Sequence, residues 1–382
     1  MKTSFGLNDL RKCSSEKVAI PEGVVSIDNS CFATKPIKQI QIPATVRSIG
    51  DRAFWRCSSL EEITLPDSVT TIGECAFSDC SSLETVNLSA SLTTIGDRAF
   101  SDCSSLEEIT LPDSVTSIGE GAFADCSSLE TVSLSSSLTA IGEKAFYNCS
   151  SLEEITLPDS LTTIGDYAFG FCSSLDEITL PDSLTTIGEG AFHNCSSLDG
   201  ITLPDSVTTI GYGAFSGCKG LETLDMPAEL NKLADEAFQF IALDQLDFSK
   251  CRKIQKLNLN AFGLQTRLGA VYMPPTLERL KGQSSAYFDT VFLPPTFRKT
   301  PSGAFLSRQI ACYSEEVESP SALLSCCKEN LFLKPGYVET FVACLEAEGE
   351  DVEPLGDGFY SVGENEKSVC PIPPEDLYLY DD

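Results

Sequence analysis

Histidine and tryptophan are nearly missing, with one of each among 382 residues. The single histidine, His193, sits in a variable slot and is read as an exposed residue. Its isolation removes His-based nucleophilic and general acid–base catalysis from the expected chemistry. Basic residues are also scarce, 26 against 56 acids, for a formal net charge of −30. That balance excludes nucleic acid, whose phosphates require Lys and Arg. No apolar run approaches the ~20 residues that cross a bilayer, so no membrane insertion is expected. Met1 to Lys17 holds no continuous apolar stretch of the kind a secretory signal needs. Localisation stays open between the cytoplasm and export by a non-classical route. Cys-x-x-Cys, Gly-x-Gly-x-x-Gly and P-loop spacings are absent too, so no metal and no cofactor are expected.

What the chain has is repetition. Nine Ala-Phe pairs recur every 23 residues, with Phe54, Phe77, Phe100, Phe123, Phe146, Phe169, Phe192, Phe215 and Phe238 in register. A fixed period of this length marks a solenoid, in which each unit buries its apolar face only against its neighbours. Within one unit, Leu60, Ile63 and Leu65 have the spacing of inward residues on a short strand, and Glu62 and Thr64 point outward. Pro66 stops the strand and Asp67-Ser68 turns the chain. Val69 and Ile72 return to the core, and Gly73 is expected to supply a conformation that a Cβ would resist. Ala76, Phe77 and Cys80 fall at helical spacing, which predicts one short helical or 3-10 turn.

The unit Leu-x-x-Ile-x-Leu-Pro-x-x-Val-x-x-Ile-Gly-x-x-Ala-Phe-x-x-Cys resembles the BspA-like, or Treponema pallidum-type, leucine-rich repeat over roughly Ile20 to Phe305. The resemblance implies an α/β-type repeat solenoid. This is a curved leucine-rich-repeat coil with a parallel concave sheet and short helical or 3-10 turns on the convex side. It also implies a protein-binding role and no catalytic residues. An adhesin-like or host-interacting protein outside the cell and an intracellular scaffold or inhibitor both fit.

Four regions are expected: an N-terminal capping coil (1–31), regular repeats (32–240), irregular basic repeats (241–312) and an acidic non-repeat region (313–382), partly helical and then flexible. Leu323, Leu324, Cys327 and Leu331, then Tyr337, Phe341 and Leu345, suit two short amphipathic helices broken by Pro335-Gly336. From Glu346 the acidic text reads as flexible tail, and its last apolar motif, Leu377 to Tyr380, as a solvated end.

Of 17 cysteines, eight (Cys57, Cys80, Cys103, Cys126, Cys149, Cys172, Cys195 and Cys218) share one repeat position. Stacking at about 4.8 Å would permit disulfides between neighbours. A ladder of small buried thiols is the favoured reading.

The candidate binding face is the outward strand positions: Glu62, Thr85, Glu108, Thr131, Glu154 and Glu177 in one column, and Thr64, Asn87, Thr110, Thr156 and Thr179 in the next. Asp67, Asp113, Asp159, Asp182 and Asp205 form a further column, read as solvated turn acids. Charge is uneven, with ten basic residues against two acids over 250–308, and seventeen acids against three lysines over 311–382. Arg252, Lys256, Arg279 and Arg298 are therefore expected to meet the acidic C-terminal region or an acidic partner.

Overall fold

The computed structural model describes residues 4–6, 16–356, 358–363 and 367–372. The chain divides into two compact units, residues 1–201 with 218–220 and residues 202–217 with 221–382.

In the first unit each coil contributes a three-residue strand and a two-residue strand. Glu62–Thr64 pairs with Thr85–Asn87, and Glu108–Thr110, Thr131–Ser133, Glu154–Thr156 and Glu177–Thr179 follow one another, parallel and without register shift. The middle residue of each is buried and the outer two are exposed. A second ladder of two-residue strands, among them Ser48–Ile49, Thr71–Ile72, Thr94–Ile95 and Ser117–Ile118, closes the far side of the coil.

The arc holding Ala-Phe is not a helical turn. Bonds from residue i+3 back to residue i do occur, as from Ala76 N to Gly73 O and from Cys80 N to Phe77 O. Between them Cys75 (φ 51°) and Asp79 (φ 60°) take the left-handed conformation, and their equivalents do so in coil after coil. That alternation stops a helix from propagating and frees every second N–H for the next coil. Arg52 N, Phe54 N and Arg56 N donate to Glu74 O, Ala76 O and Ser78 O at 2.7–2.9 Å. The turn face is thereby a backbone ladder in its own right, and its buried polar groups are satisfied.

Gly73 needs a different explanation from the one its position first suggests. It is not among the positive-φ residues. A Cβ placed there would lie 2.7 Å from Asp51 N and 2.8 Å from Gly50 C, so the close approach of neighbouring coils excludes a side chain.

The core is built in columns. Phe54, Phe77, Phe100, Phe123, Phe146, Phe169 and Phe192 are fully buried. From Phe32 to Phe192 the rings stack with centroids 5.0–5.7 Å apart and planes within 9°. The rings recur once per coil, their centroids offset beyond the ~4.8 Å spacing of the paired strands, and each pair adds about 0.5–1.5 kcal/mol beyond area burial.

The second unit lengthens its strands. Thr223–Asp225, Ala242–Asp247, Arg267–Tyr272, Tyr287–Leu293 and Leu306–Cys312 are parallel neighbours, with strands of six and seven residues after the first. The parallel rungs run on past residue 312. Helix formation stops at Ser325, and Cys327–Leu333 is a strand on the edge of Leu306–Cys312, where the first of the two expected helices was to continue. An open sheet edge with its unpaired backbone groups outweighs weak local helical spacing here. The second helix is present as Val338–Ala347, with Phe341 and Leu345 buried.

Among the described residues, three stretches of the chain expected to be flexible after Glu346 are strands. Lys367–Pro371 adds in parallel to Cys327–Leu333, and Phe359–Val362 and Val352–Gly356 extend the sheet antiparallel. The last edge carries Glu353 and Pro354, both exposed, which discourages further pairing. The Leu377 to Tyr380 motif lies outside the described residues.

Candidate functional site

The strand face of the first unit carries the expected residues at known positions. Glu108, Thr131, Glu154 and Glu177 are direct cross-strand partners, as are Glu62 and Thr85. Thr110 and Ser133, then Thr156 and Thr179, continue the neighbouring column, and Asn87 Nδ2 donates to Thr64 Oγ1 at 3.2 Å. All of these side chains are exposed or nearly so.

A third column had escaped notice in the sequence. Glu61, Glu84, Glu107, Glu130, Glu153, Asp176 and Asp199 occupy one position without a break, and all are exposed. Backbone bonds from Glu84 N to Glu61 O and from Glu130 N to Glu107 O place successive acids on adjacent coils. The signal was there, since every unit has an acid directly after its inward Leu.

None of the acids in these columns makes an ion pair among the described residues. Four turn-face acids of the same unit behave differently: Glu74 pairs with Arg52, Asp79 with Arg56, Glu120 with Arg98 and Glu143 with Lys144. Three of the five turn-column acids are committed to structure. Asp67, Asp113 and Asp205 accept from the backbone N–H of Ala90, Ser136 and Ala228 at 3.2 Å. The Ser136 hydroxyl and N–H together hold the Asp113 carboxyl below its usual range.

Two shallow troughs indent the strand face. One of about 330 Å³ is lined by Thr85, Val86, Asn87 and Leu88 with Asp67 and Glu108 at its sides. The other, about 520 Å³, is lined by Thr131, Val132, Ser133 and Leu134 with Glu154 and Thr156 beside them. Each lies where a short Thr stands in the column otherwise held by Glu.

In the second unit, Arg279 pairs with Glu318 at 2.8 Å and Arg298 with Glu316 at 2.9 Å, while Lys299 also reaches Glu318. Arg252 and Lys256 make no ion pair among the described residues. Nearby Lys250 and Lys253 meet Asp225 and Glu229. The tail apolar residues Leu324, Leu331 and Phe341 are buried.

Repeat sequence and coil geometry meet in the comparisons with known proteins. The BspA type leucine rich repeat region matches in six copies over residues 3–127, 95–202 and 185–311. The chain belongs to this family. A leucine-rich repeat protein of Bacteroides ovatus is 30% identical, with a TM-score of 0.65 over 77% of this chain and 86% of the other. The T. pallidum leucine rich repeat protein is 27% identical over 54% of this chain and 78% of its own, with a TM-score of 0.35. Among curated proteins, no sequence match was found. Leucine-rich-repeat proteins generally mediate protein interactions and are typically not enzymes. No helix among the described residues is long and apolar enough to cross a membrane.

In this BspA-type coil the repeat cysteines are thiols, as are all the described cysteines. Each repeat Sγ donates to the Phe carbonyl of the preceding coil, for example Cys149 to Phe123 O at 3.2 Å and Cys172 to Phe146 O at 3.1 Å. Burial pushes Cys57 up to about 11 and Cys126, Cys172 and Cys218 up to about 12. Such thiols are poor nucleophiles and poor metal ligands. Among the described residues no group of His, Cys, Asp and Glu is arranged to hold a metal.

His193 is half-buried on the turn face rather than open. Phe171 lies edge-on at 5.1 Å and Tyr167 at 6.3 Å, and Tyr147 meets Phe171 at 5.3 Å. Asn194 Nδ2 is 2.9 Å from His193 Nε2. Burial lowers the imidazole below its ordinary value, favouring the neutral ring.

Proposed function

We propose that this protein is a non-enzymatic binding module that captures a basic surface of another protein on its strand face, in an adhesin-like or host-interacting role. The observation carrying this reading is the contrast between the faces of one unit. Four turn-face acids, Glu74, Asp79, Glu120 and Glu143, are paired with Arg or Lys, whereas among the described residues the strand-face columns present their carboxylates without ion pairs. Unpaired like charges at coil spacing repel one another, and a basic partner would relieve that repulsion while steering encounter. Flat, repeated, solvated acids do not form the asymmetric carboxylate pair that acid–base hydrolysis needs.

An intracellular scaffold or inhibitor is the second reading. The column of reduced thiols favours it, since such thiols persist best in a reducing compartment. Fractionation of native cells separates the two readings.

The test of the binding face is the triple change Glu108→Lys, Glu154→Lys and Glu177→Lys. These side chains are exposed, so thermal unfolding should be nearly unchanged while capture of a basic partner protein by cross-linking is lost. Capture that survives this change but fails when turn-face residues are altered would place the interface on the other side of the coil.

A further inference from the structure

The two troughs define a repeat distance that a ligand must match. They sit two coils apart because the sequence alternates Glu62, Thr85, Glu108, Thr131 and Glu154 down one column. At about 4.8 Å per coil the troughs are about 9.6 Å apart. Each is lined on its next coil by one strand-face carboxylate, Glu108 for the first and Glu154 for the second. A chain lying along the coil axis can use both troughs only if equivalent side chains recur at that distance.

The regular conformations differ in this respect. An extended strand returns to the same face about every 6.8 Å. An α-helix returns about every 5.4 Å per turn, and its heptad about every 10.5 Å. A polyproline II helix has three residues per turn and rises about 3.1 Å per residue, so every third side chain recurs at about 9.3 Å. The last lies within about 0.3 Å of the trough spacing. Its backbone carbonyls have no internal partners, and the exposed hydroxyls of Thr110 and Thr156 stand beside the troughs to donate to them. Charge fixes the side chain: the lining of each trough carries a strand-face acid that makes no ion pair among the described residues, Glu108 or Glu154, with the unbroken Glu61 to Asp199 column alongside.

We infer that the occupant of the strand face is a polyproline II segment carrying Lys or Arg at every third residue. The inference rests on the strand-face reading above and names the partner's conformation and periodicity. A preformed polyproline II helix loses little entropy on docking, which suits shallow troughs.

Fluorescence anisotropy on the full chain at low salt tests this with three peptides of equal charge. The first has four Lys-Pro-Pro triplets, the second has the same composition with lysines at irregular intervals, and the third alternates Lys and Thr. The triplet peptide should bind at least about ten-fold more tightly than either control. Filling the troughs by Thr85→Trp with Thr131→Trp should reduce it to the level of the irregular peptide, whose own binding should not change. The peptide comparison needs only the unaltered protein, so a misfolded double variant leaves the test intact. Equal binding of all three peptides, preference for the alternating one, or no binding at all would each overturn the polyproline II assignment. The strand-face reading is judged separately, by partner capture with the triple lysine variant.

Discussion

Phenylalanine marks the difference between the two units. In the first, the rings lie flat on one another for coil after coil, each 5.0–5.7 Å from the next. In the second, Phe215, Phe238 and Phe262 keep stacking at 6.0–6.2 Å, but Phe262, Phe288 and Phe305 then meet edge-on, at 87° and 71°. The change accompanies the loss of the 23-residue period after Phe238. Identical coils put identical side chains above one another, so columns of rings, thiols and carboxylates arise together and no strand need exceed three residues. Where coil length drifts, rings cannot superpose, and six- and seven-residue strands with cross-coil ion pairs take over the holding. Regularity therefore stabilises the first unit through side-chain columns, and backbone pairing stabilises the second.

The largest test of that contrast removes residues 313–382. Two parallel rungs, the antiparallel hairpin and the partners of Arg279, Arg298 and Arg308 would go together. Individual exposed pairs contribute roughly 0–1 kcal/mol, so most of the loss comes from Leu324, Leu331 and Phe341 and from the bared Leu306–Cys312 edge. The expected result is aggregation, or an unfolding temperature of the second unit lowered by on the order of 10 °C, with the first unit little affected. A truncated protein that stays monomeric at unchanged stability would break the claim that backbone pairing holds this unit.

Alkaline pH should do the converse. Thiols held at about 11 to 12 in the fold titrate near 9 when exposed. A raised folded pKa means the contribution is complete below about 9 and is lost as pH climbs towards 11 and 12. Circular dichroism between pH 8 and 12 should show the first unit, with its column of eight thiols, unfolding in that window. At neutral pH a thiol reagent should modify exposed Cys344 at once and the repeat cysteines only on unfolding.

How much of this was legible differs by column. The inward Leu, Ile, Phe and Cys positions could be read because the period repeats them, and repetition averages out local ambiguity. The strand Cys327–Leu333 could not, because Lys-Glu-Asn-Leu-Phe-Leu fits helix or strand and only the open edge beside it decides. The role of Gly73 was misread because the distance between coils is not written in one coil's sequence. The acid column from Glu61 was visible letter by letter but was overshadowed by its neighbour at Glu62. The ring cluster of Tyr147, Tyr167, Phe171 and His193 needed coordinates, since it joins three different variable slots across three coils.

Point substitutions sharpen the contrast further. Phe146 is fully buried between Phe123 and Phe169, so Phe146→Ala should cost about 3–5 kcal/mol in equilibrium unfolding. A loss below about 1 kcal/mol would mean that the column does not carry the unit. Adding one carbon should also be felt. A Cβ at Gly165 would sit 2.8 Å from Gly142 C and Ile141 O, which are backbone and cannot step aside. Gly165→Ala should destabilise by about 1–3 kcal/mol. In the second unit Gly336 has nothing within 4 Å of such a carbon and no positive φ. Gly336→Ala should be neutral or stabilising by about 0.4–1 kcal/mol.

The smallest expected effect belongs to His193, which tests whether the turn face of the first unit is as inert as its repeats suggest. Burial against Phe171 and Tyr167 lowers the imidazole pKa, so the fold prefers the neutral ring. The unfolded chain protonates near 6.5. The histidine's contribution is therefore present above about 6.5 and is lost as pH falls through the lower folded value, beneath which it stays constant. Half-exposure keeps the effect small, and about 1–2 °C between pH 7.5 and pH 5 is the expected scale. His193→Gln should remove this slope while leaving the carboxylate titration at lower pH in place. An identical pH profile in the variant would show that the ring is solvated in solution and that the aromatic cluster does not close around it.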